Sequence, residues 1–152
     1  MSEDLLNVFS DALFIGIQRN PYAAVASMLK HHGACSWYKE RWKEYPIPNS
    51  FLGITKTNAI QYESISNASK SALRWKSHKV RMNQLGSLLK SKLHIIQYEN
   101  LIVNTEDELL KLEKFLSLNP KSIPIPIIKI ESLDRWKSEL TVEMKEQIYK
   151  YV

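Results

Sequence analysis

Two polar residues near the start of the chain, Arg19 and Ser27, have types and a spacing that suit phosphate binding. The guanidinium group of arginine is planar, and its paired N–H donors match the oxygens of a phosphate. Asn20-Pro21 follows Arg19, and the backbone N–H groups at the start of a helix attract anions. Ser27 lies about 9 Å further along such a helix, where its hydroxyl can donate one more hydrogen bond. Alternatively, Arg19 pairs with a carboxylate and Ser27 only fills the helix, since short motifs often match by chance.

A strand and a helix must position these two residues. Residues 12–18 contain the apolar run ALFIGI, which lacks polar alternation and is typical of a parallel strand covered on both faces. Asn20 is a good N-cap and Pro21 fits the first helical position. A helix is therefore predicted from Pro21 to about His32, with Gly33 as its stop.

The later elements complete an α/β pattern. The sequence predicts a long helix over residues 66–90, a strand over 93–98, a helix that opens with a capping box at Thr105, and a last helix that begins near Thr141. This order is typical of a parallel sheet, so residues 12–18 and 93–98 are predicted to be parallel neighbours or near-neighbours. Ligands of such sheets bind beyond the carboxyl ends of the strands, which is where Arg19 is expected.

The composition limits the classes to which the chain can belong. With 152 residues, 44% of them hydrophobic and 24% charged, residues 1–152 are expected to form one globular domain. No apolar run approaches the ~18–20 residues of a membrane span. The single Cys35 cannot form an internal disulfide, so a reducing, cytoplasmic location is expected. A net charge of +5 favours an anionic partner, but no basic stripe indicates nucleic acid.

Four segments resemble sulfotransferases that use 3′-phosphoadenosine 5′-phosphosulfate as the sulfuryl donor. FIGIQRNPYAAVAS is similar to the family's 3′-phosphate-binding segment, an apolar strand followed by Arg-Asn-Pro and by a serine eight residues after the arginine. ALRWKSHKVRMNQL resembles a family helix with Ala-x-x-Trp. HIIQYENLIVNTEDELLKLEKFLSLN resembles a segment with Tyr-Glu-Asp-Leu, although Asn100 replaces the usual Asp, and SLDRWKSELT resembles a later Trp-basic segment. They occur in the family's order across residues 4–152.

This resemblance implies a helix-rich, parallel-sheet, sulfotransferase-like fold related to P-loop nucleotide-binding proteins. It implies the phosphosulfate nucleotide as co-substrate and assigns Arg19 and Ser27 to its 3′-phosphate. In the cytosolic branch an Arg-Lys-Gly triplet also contacts this phosphate. Lys129-Ile130-Glu131 stands at that offset here, which makes Lys129 a third candidate. The acceptor, a hydroxyl or amine on a small molecule or glycan, and the oligomeric state stay open.

The chain also departs from the family pattern. A 5′-phosphosulfate loop and a catalytic base are expected before the Arg-Asn-Pro strand, yet none of the glycines at 16, 33, 53 and 86 lies in a Gly-Lys-Ser/Thr setting. We therefore expect residues 1–152 to match the C-terminal part of a sulfotransferase or a truncated relative, and we assign no catalytic residue and no metal ligand. Two other functions stay open: a non-catalytic relative that binds a nucleotide or sulfated glycan, and a basic polyanion-binding module.

Some other residues suggest chemistry but have simpler explanations. His31 and His32 point about 100° apart on a helix, so a helix cap or a solvated helix end is expected rather than a shared metal. Cys35 has no local base and is expected to be a small residue near a helix end. Glu99 follows a strand, where catalytic carboxylates occur, although the resemblance implies a structural role. One aromatic group suits an acceptor pocket and helix packing equally well: Trp37, Tyr38, Trp42 and Tyr45.

Overall fold

The computed structural model describes residues 2–127, 130 and 133–152. The fold is 60% helical, with one sheet of two parallel strands, β1 (Phe14–Gln18) and β2 (Leu93–Gln97). The α/β class that the sequence predicts is confirmed at this level. The described helices are α1 (Ser2–Val8), α2 (Pro21–Lys30), α3 (His32–Lys39), α4 (Ala59–Tyr62), α5 (Asn67–Leu89), α6 (Tyr98–Val103), α7 (Thr105–Phe115), α8 (Trp136–Glu139) and α9 (Val142–Tyr149), with 3₁₀ turns at Arg41–Glu44 and Lys90–Lys92.

The two strands pair in the predicted parallel sense. Phe14 lies opposite Leu93, and the register continues without a break to Gln18 opposite Gln97. At that last pair the Gln97 side-chain amide donates a hydrogen bond of 3.1 Å to the side-chain oxygen of Gln18. The carboxyl ends of both strands therefore reach the same edge of the sheet.

The predicted burial of β1 on both faces is wrong for one face. Gly16 is buried, and a Cβ atom there would stand 2.6 Å from the sulfur of Met82. The side chains of Ile15 and Ile17 alternate to the opposite face, where they are 47% and 58% exposed. The apolar residues of β1 indicate that the strand tends to be buried. Which other elements cover each face is decided by tertiary packing, and the strand's own sequence does not specify it.

The chain divides into two compact units. The first comprises Met1–Gln18 with Met82–Ile130, and the second comprises Arg19–Arg81 with Glu131–Val152. In the first unit, His94 of β2 stacks on Phe115 of α7, with ring centroids 5.2 Å apart.

The second unit contains two apolar clusters. One joins α2 to the last two helices, and its buried members are Val25, Ala26, Ala68, Ala72, Leu140 and Ile148. At its border Tyr22 stacks on Trp136 with ring centroids 5.0 Å apart, and Lys30 pairs with Glu139 at 2.5 Å. The other cluster underlies α3 and the loop after it, and its buried members are Ala34, Tyr38, Trp42, Leu52, Ile54 and Tyr62.

Several helix ends differ from the predictions. Helix α2 ends at Lys30, and Gly33 lies inside α3 rather than at a helix stop, because His31 serves both helices as a cap. The predicted capping box at Thr105 is wrong as well. Asn104 is the N-cap of α7, and the Thr105 hydroxyl instead donates to the Leu101 carbonyl at 2.8 Å. The last helix does begin as predicted, with the Thr141 hydroxyl accepting from the Met144 amide at 3.2 Å.

None of the helices in the described part of the chain combines the length and the apolar character needed to cross a membrane.

Candidate functional site

The turn between β1 and α2 is built as the sequence predicts. Arg19 directly follows the last residue of β1, and Pro21 occupies the first position of α2. The Asn20 side-chain oxygen accepts hydrogen bonds from the amides of Tyr22 at 3.0 Å and Ala23 at 3.3 Å. These bonds satisfy two of the N–H groups that a helix start leaves unpaired.

Helix α5 anchors this turn through a tryptophan. The Trp75 indole nitrogen donates a 2.9 Å hydrogen bond to the main-chain carbonyl of Arg19. The bond fixes the backbone from which the half-buried Arg19 side chain projects. Because the acceptor is a main-chain atom, replacement of the Arg19 side chain leaves this bond in place.

Ser27 is exposed on α2, at the wall of a cavity of ≈ 360 Å³ that we call the Ser27 cavity. Its lining residues are Ser27, Met28, His31, Gly33, Ala34, Trp37, Phe51 and Arg74. One of these lining residues is an arginine, Arg74 of α5. The structure thus brings Ser27 together with Arg74, a residue that the sequence did not single out, and the pairing of Ser27 with Arg19 stays a prediction.

A tight loop places Phe51 beneath Arg74. The guanidinium carbon of Arg74 lies 4.1 Å from the centroid of the Phe51 ring. Gly53 has φ +74°, and a Cβ atom there would collide with the main-chain carbonyl of Leu73. Only glycine combines this left-handed backbone with such a close approach, so Gly53 lets the loop lie against α5.

Further contacts hold the same loop. Asn49 and Ile54 exchange main-chain hydrogen bonds of 2.8 and 2.9 Å, which close the loop into a short antiparallel bridge. The Ser77 hydroxyl donates to the Ser50 carbonyl at 2.7 Å, and a ring nitrogen of His78 lies 3.0 Å from the Phe51 carbonyl. Phe51 is therefore fixed in the wall of the cavity by several independent contacts.

The aromatic residues that the sequence singled out divide between two roles. Tyr38 and Trp42 are buried in the core of the second unit, where Trp42 meets Tyr62 edge to face at 5.2 Å. Trp37 instead lines the Ser27 cavity and lies 4.8 Å from Tyr45, centroid to centroid. Helix packing is thus the role of Tyr38 and Trp42, whereas the acceptor pocket stays a prediction for Trp37.

His31 and Cys35 have structural contacts. The Nδ1 atom of His31 accepts a 3.3 Å hydrogen bond from the Ala34 amide, which caps the start of α3. The Cys35 thiol donates to the Leu29 carbonyl at 3.3 Å. Among the described residues, no three metal-ligating side chains come together.

Lys70 is a buried cation in the second unit. Its ammonium group donates to the main-chain carbonyls of Tyr38 at 3.0 Å and Glu63 at 3.4 Å, and it lies 5.2 Å from the Tyr62 ring centroid. Burial lowers the pKa of Lys70, because desolvation disfavours the charged amine. Its hydrogen bonds to two carbonyls indicate a structural role.

A second cavity, of ≈ 330 Å³, lies in the first unit between α7 and the loop over residues 121–125. Glu113 lines this cavity and is buried. It accepts hydrogen bonds from the amides of Lys121 and Ile123, both at 2.8 Å, and from the Ser122 hydroxyl at 3.5 Å. The Ile123 amide contributes most to holding the pKa of Glu113 below its ordinary value. This carboxylate therefore fastens a loop to a helix.

Two candidates from the sequence remain, Glu99 and Lys129. Glu99 lies in the first turn of α6, directly after β2. Lys129 lies outside the residues that the structure describes.

Comparison of the chain with protein-family models, with curated proteins and with solved structures finds no match.

Proposed function

We propose that this chain is a sulfotransferase-like protein. It binds 3′-phosphoadenosine 5′-phosphosulfate, the donor from which sulfotransferases transfer a sulfuryl group to a hydroxyl or amine acceptor. The observation that supports it most is the segment from β1 to α2: a parallel strand, then Arg19, then a helix capped by Asn20 that carries Ser27. This is the local arrangement that the resemblance to the family's 3′-phosphate-binding segment implies.

The cap at Asn20 indicates which groups would hold the phosphate. Because the Asn20 side chain already accepts from the Tyr22 and Ala23 amides, these two donors at the helix start are engaged. The side chains of Arg19 and Ser27 are then expected to supply the bonds to the phosphate. Ser27 follows Asn20 by seven residues, which places both on the same face of α2.

Titration with two nucleotides tests this assignment. Arg19→Ala should weaken binding of adenosine 3′,5′-bisphosphate by about 10- to 150-fold, because a charge-assisted hydrogen bond contributes about 1.5–3 kcal/mol. Ser27→Ala should lose less, about 0.5–1.5 kcal/mol, as expected for a hydroxyl donor. Both losses should be smaller for AMP, which lacks the 3′-phosphate. Isothermal titration calorimetry measures the six affinities, those of the wild type and the two variants for each nucleotide.

Lys56→Ala is the matched control, because it removes one exposed cation from a loop in the same unit. It should change both affinities little. If Arg19→Ala loses the same affinity for both nucleotides, Arg19 does not recognise the 3′-phosphate. If Lys56→Ala loses as much affinity as Arg19→Ala does, only the net charge of the protein matters.

A second candidate is a relative that binds a nucleotide or a sulfated glycan without turnover. It is favoured by the sequence itself, which contains no Gly-Lys-Ser/Thr segment to cradle a 5′-phosphosulfate. A thermal-shift survey separates the two candidates: selective stabilisation by 3′-phosphorylated adenosine nucleotides favours the first, and stabilisation by sulfated glycans or by nucleotides without a 3′-phosphate favours the second.

A further inference from the structure

We propose that the Ser27 cavity binds a small planar aromatic carboxylate, a ligand class separate from the nucleotide donor. Its volume of ≈ 360 Å³ falls at the lower end of the range of about 300–1,000 Å³ typical of small-molecule sites. A cavity of this size suits a ligand of one or two rings. Its lining combines aromatic and apolar side chains with a few polar groups, as such sites do.

The charge of the cavity selects an anion. Arg74 lines it, and the eight described lining residues include no aspartate or glutamate. A second arginine, Arg41, lies over the Trp37 ring at 4.8 Å from its centroid, although it also pairs with Glu44 at 3.6 Å. An anionic ligand therefore enters a site of positive potential.

The orientation of Arg74 suits a carboxylate. The guanidinium lies with its carbon 4.1 Å from the Phe51 ring centroid, a contact that leaves the N–H groups at its edge available. This contact restricts the side chain before any ligand arrives, so binding loses less conformational freedom. A planar carboxylate matches the paired N–H donors of that edge.

A second lining residue is also a donor. In the neutral ring of His31, Nδ1 accepts from the Ala34 amide, so the ring proton resides on Nε2, which is a donor. Arg74 and His31 therefore both line the cavity with hydrogen-bond donors, and a carboxylate, which only accepts hydrogen bonds, complements both.

The rings in the wall favour an aromatic ligand over a saturated one. The Trp37 ring has Arg41 at 4.8 Å and Tyr45 at 4.8 Å, and Arg74 lies over the Phe51 ring. Trp37 and Phe51 both line the cavity and meet edge to face, with ring centroids 5.7 Å apart. A ligand ring can make edge-to-face or offset-stacked contacts of this kind with them, and a saturated ring cannot.

Calorimetric titration with three probes of similar size tests the proposal: 2-naphthoate, the neutral 2-naphthamide and the saturated decalin-2-carboxylate. We expect 2-naphthoate to bind more tightly than either of the others. Arg74→Met should weaken 2-naphthoate binding about tenfold or more, because it removes a charge-assisted donor. Lys76→Met is the matched control, since it removes one exposed cation from the same helix, and it should leave the affinity unchanged.

Ser27→Leu provides a second variant if Arg74→Met does not fold. Ser27 is exposed, so the substitution leaves the core intact. The larger leucine side chain should occupy part of the cavity and abolish binding of 2-naphthoate. The proposal is overturned if 2-naphthoate does not bind or binds no better than decalin-2-carboxylate. It is also overturned if Arg74→Met matches Lys76→Met, or if Ser27→Leu binds as the wild type does.

Discussion

At the scale of single residues, one glycine determines whether the wall of the Ser27 cavity can form. Gly53→Ala should lower the free energy of unfolding by more than the ~1–2 kcal/mol that a left-handed backbone costs, because the new Cβ also collides with the Leu73 carbonyl. Gly86→Ala is the matched control. No atom lies within 4 Å of its added Cβ and the residue is inside α5, so it should stabilise the protein by about 0.5–1 kcal/mol. Urea unfolding monitored by circular dichroism measures both, and a shift of the same sign in both variants would contradict the close approach at Gly53.

At the scale of elements, the buried carboxylate of Glu113 holds the loop over residues 121–123 to α7 through three hydrogen bonds. The pKa of Glu113 is held below its ordinary value of about 4.5 by the Ile123 amide and its neighbours. A lowered pKa means that ionised Glu113 stabilises the fold above pH ~4.5, and that this contribution is lost as the pH falls through the lower folded value. Glu113→Gln should therefore destabilise the protein near neutral pH and reduce its loss of stability on acidification.

Glu106→Gln is the control for the change of charge, because Glu106 lies on the same helix and pairs with Lys121 of the same loop at 3.4 Å, but through side chains that are 58% and 76% exposed. Such exposed pairs contribute little to stability. Glu106→Gln should change the stability near neutral pH, and its dependence on acid pH, less than Glu113→Gln does. Thermal unfolding from pH 7 down to pH 3 measures these differences, and identical pH profiles for Glu113→Gln and the wild type would show that this carboxylate does not hold the loop.

At the scale of the whole molecule, residues 1–152 should bind the nucleotide without catalysing sulfuryl transfer at a normal enzymatic rate. The sequence contains no Gly-Lys-Ser/Thr segment, and we assign no side chain to the catalytic base. Loss of one pre-organised charge-stabilising donor commonly costs ~10²–10³ in rate, and loss of a general base ~10²–10⁴. Incubation with 3′-phosphoadenosine 5′-phosphosulfate and phenol, sugar and amine acceptors, followed by detection of sulfated product, measures this. Turnover near ~1 s⁻¹ would contradict the expectation.

The sequence by itself determined the elements whose signals are local. The apolar runs at β1 and β2 predicted two strands, and Asn20 and Thr141 marked the starts of α2 and α9. The order of strands and helices along the chain predicted the parallel pairing of the two strands. Such signals can be read from sequence because an N-cap contacts amides two or three residues away. The exposure of Ile15 was not predictable in this way, since it depends on what packs against the strand.

Only the tertiary structure decided which residues share the Ser27 cavity. Ser27, Phe51 and Arg74 are separated by more than twenty residues at each step along the chain. They meet because Gly53 allows the loop after α3 to lie against α5 beside Leu73. Contacts between residues so far apart in the sequence depend on the path of the backbone in the folded protein. The residues next to Arg74 in the sequence do not indicate which residues it contacts.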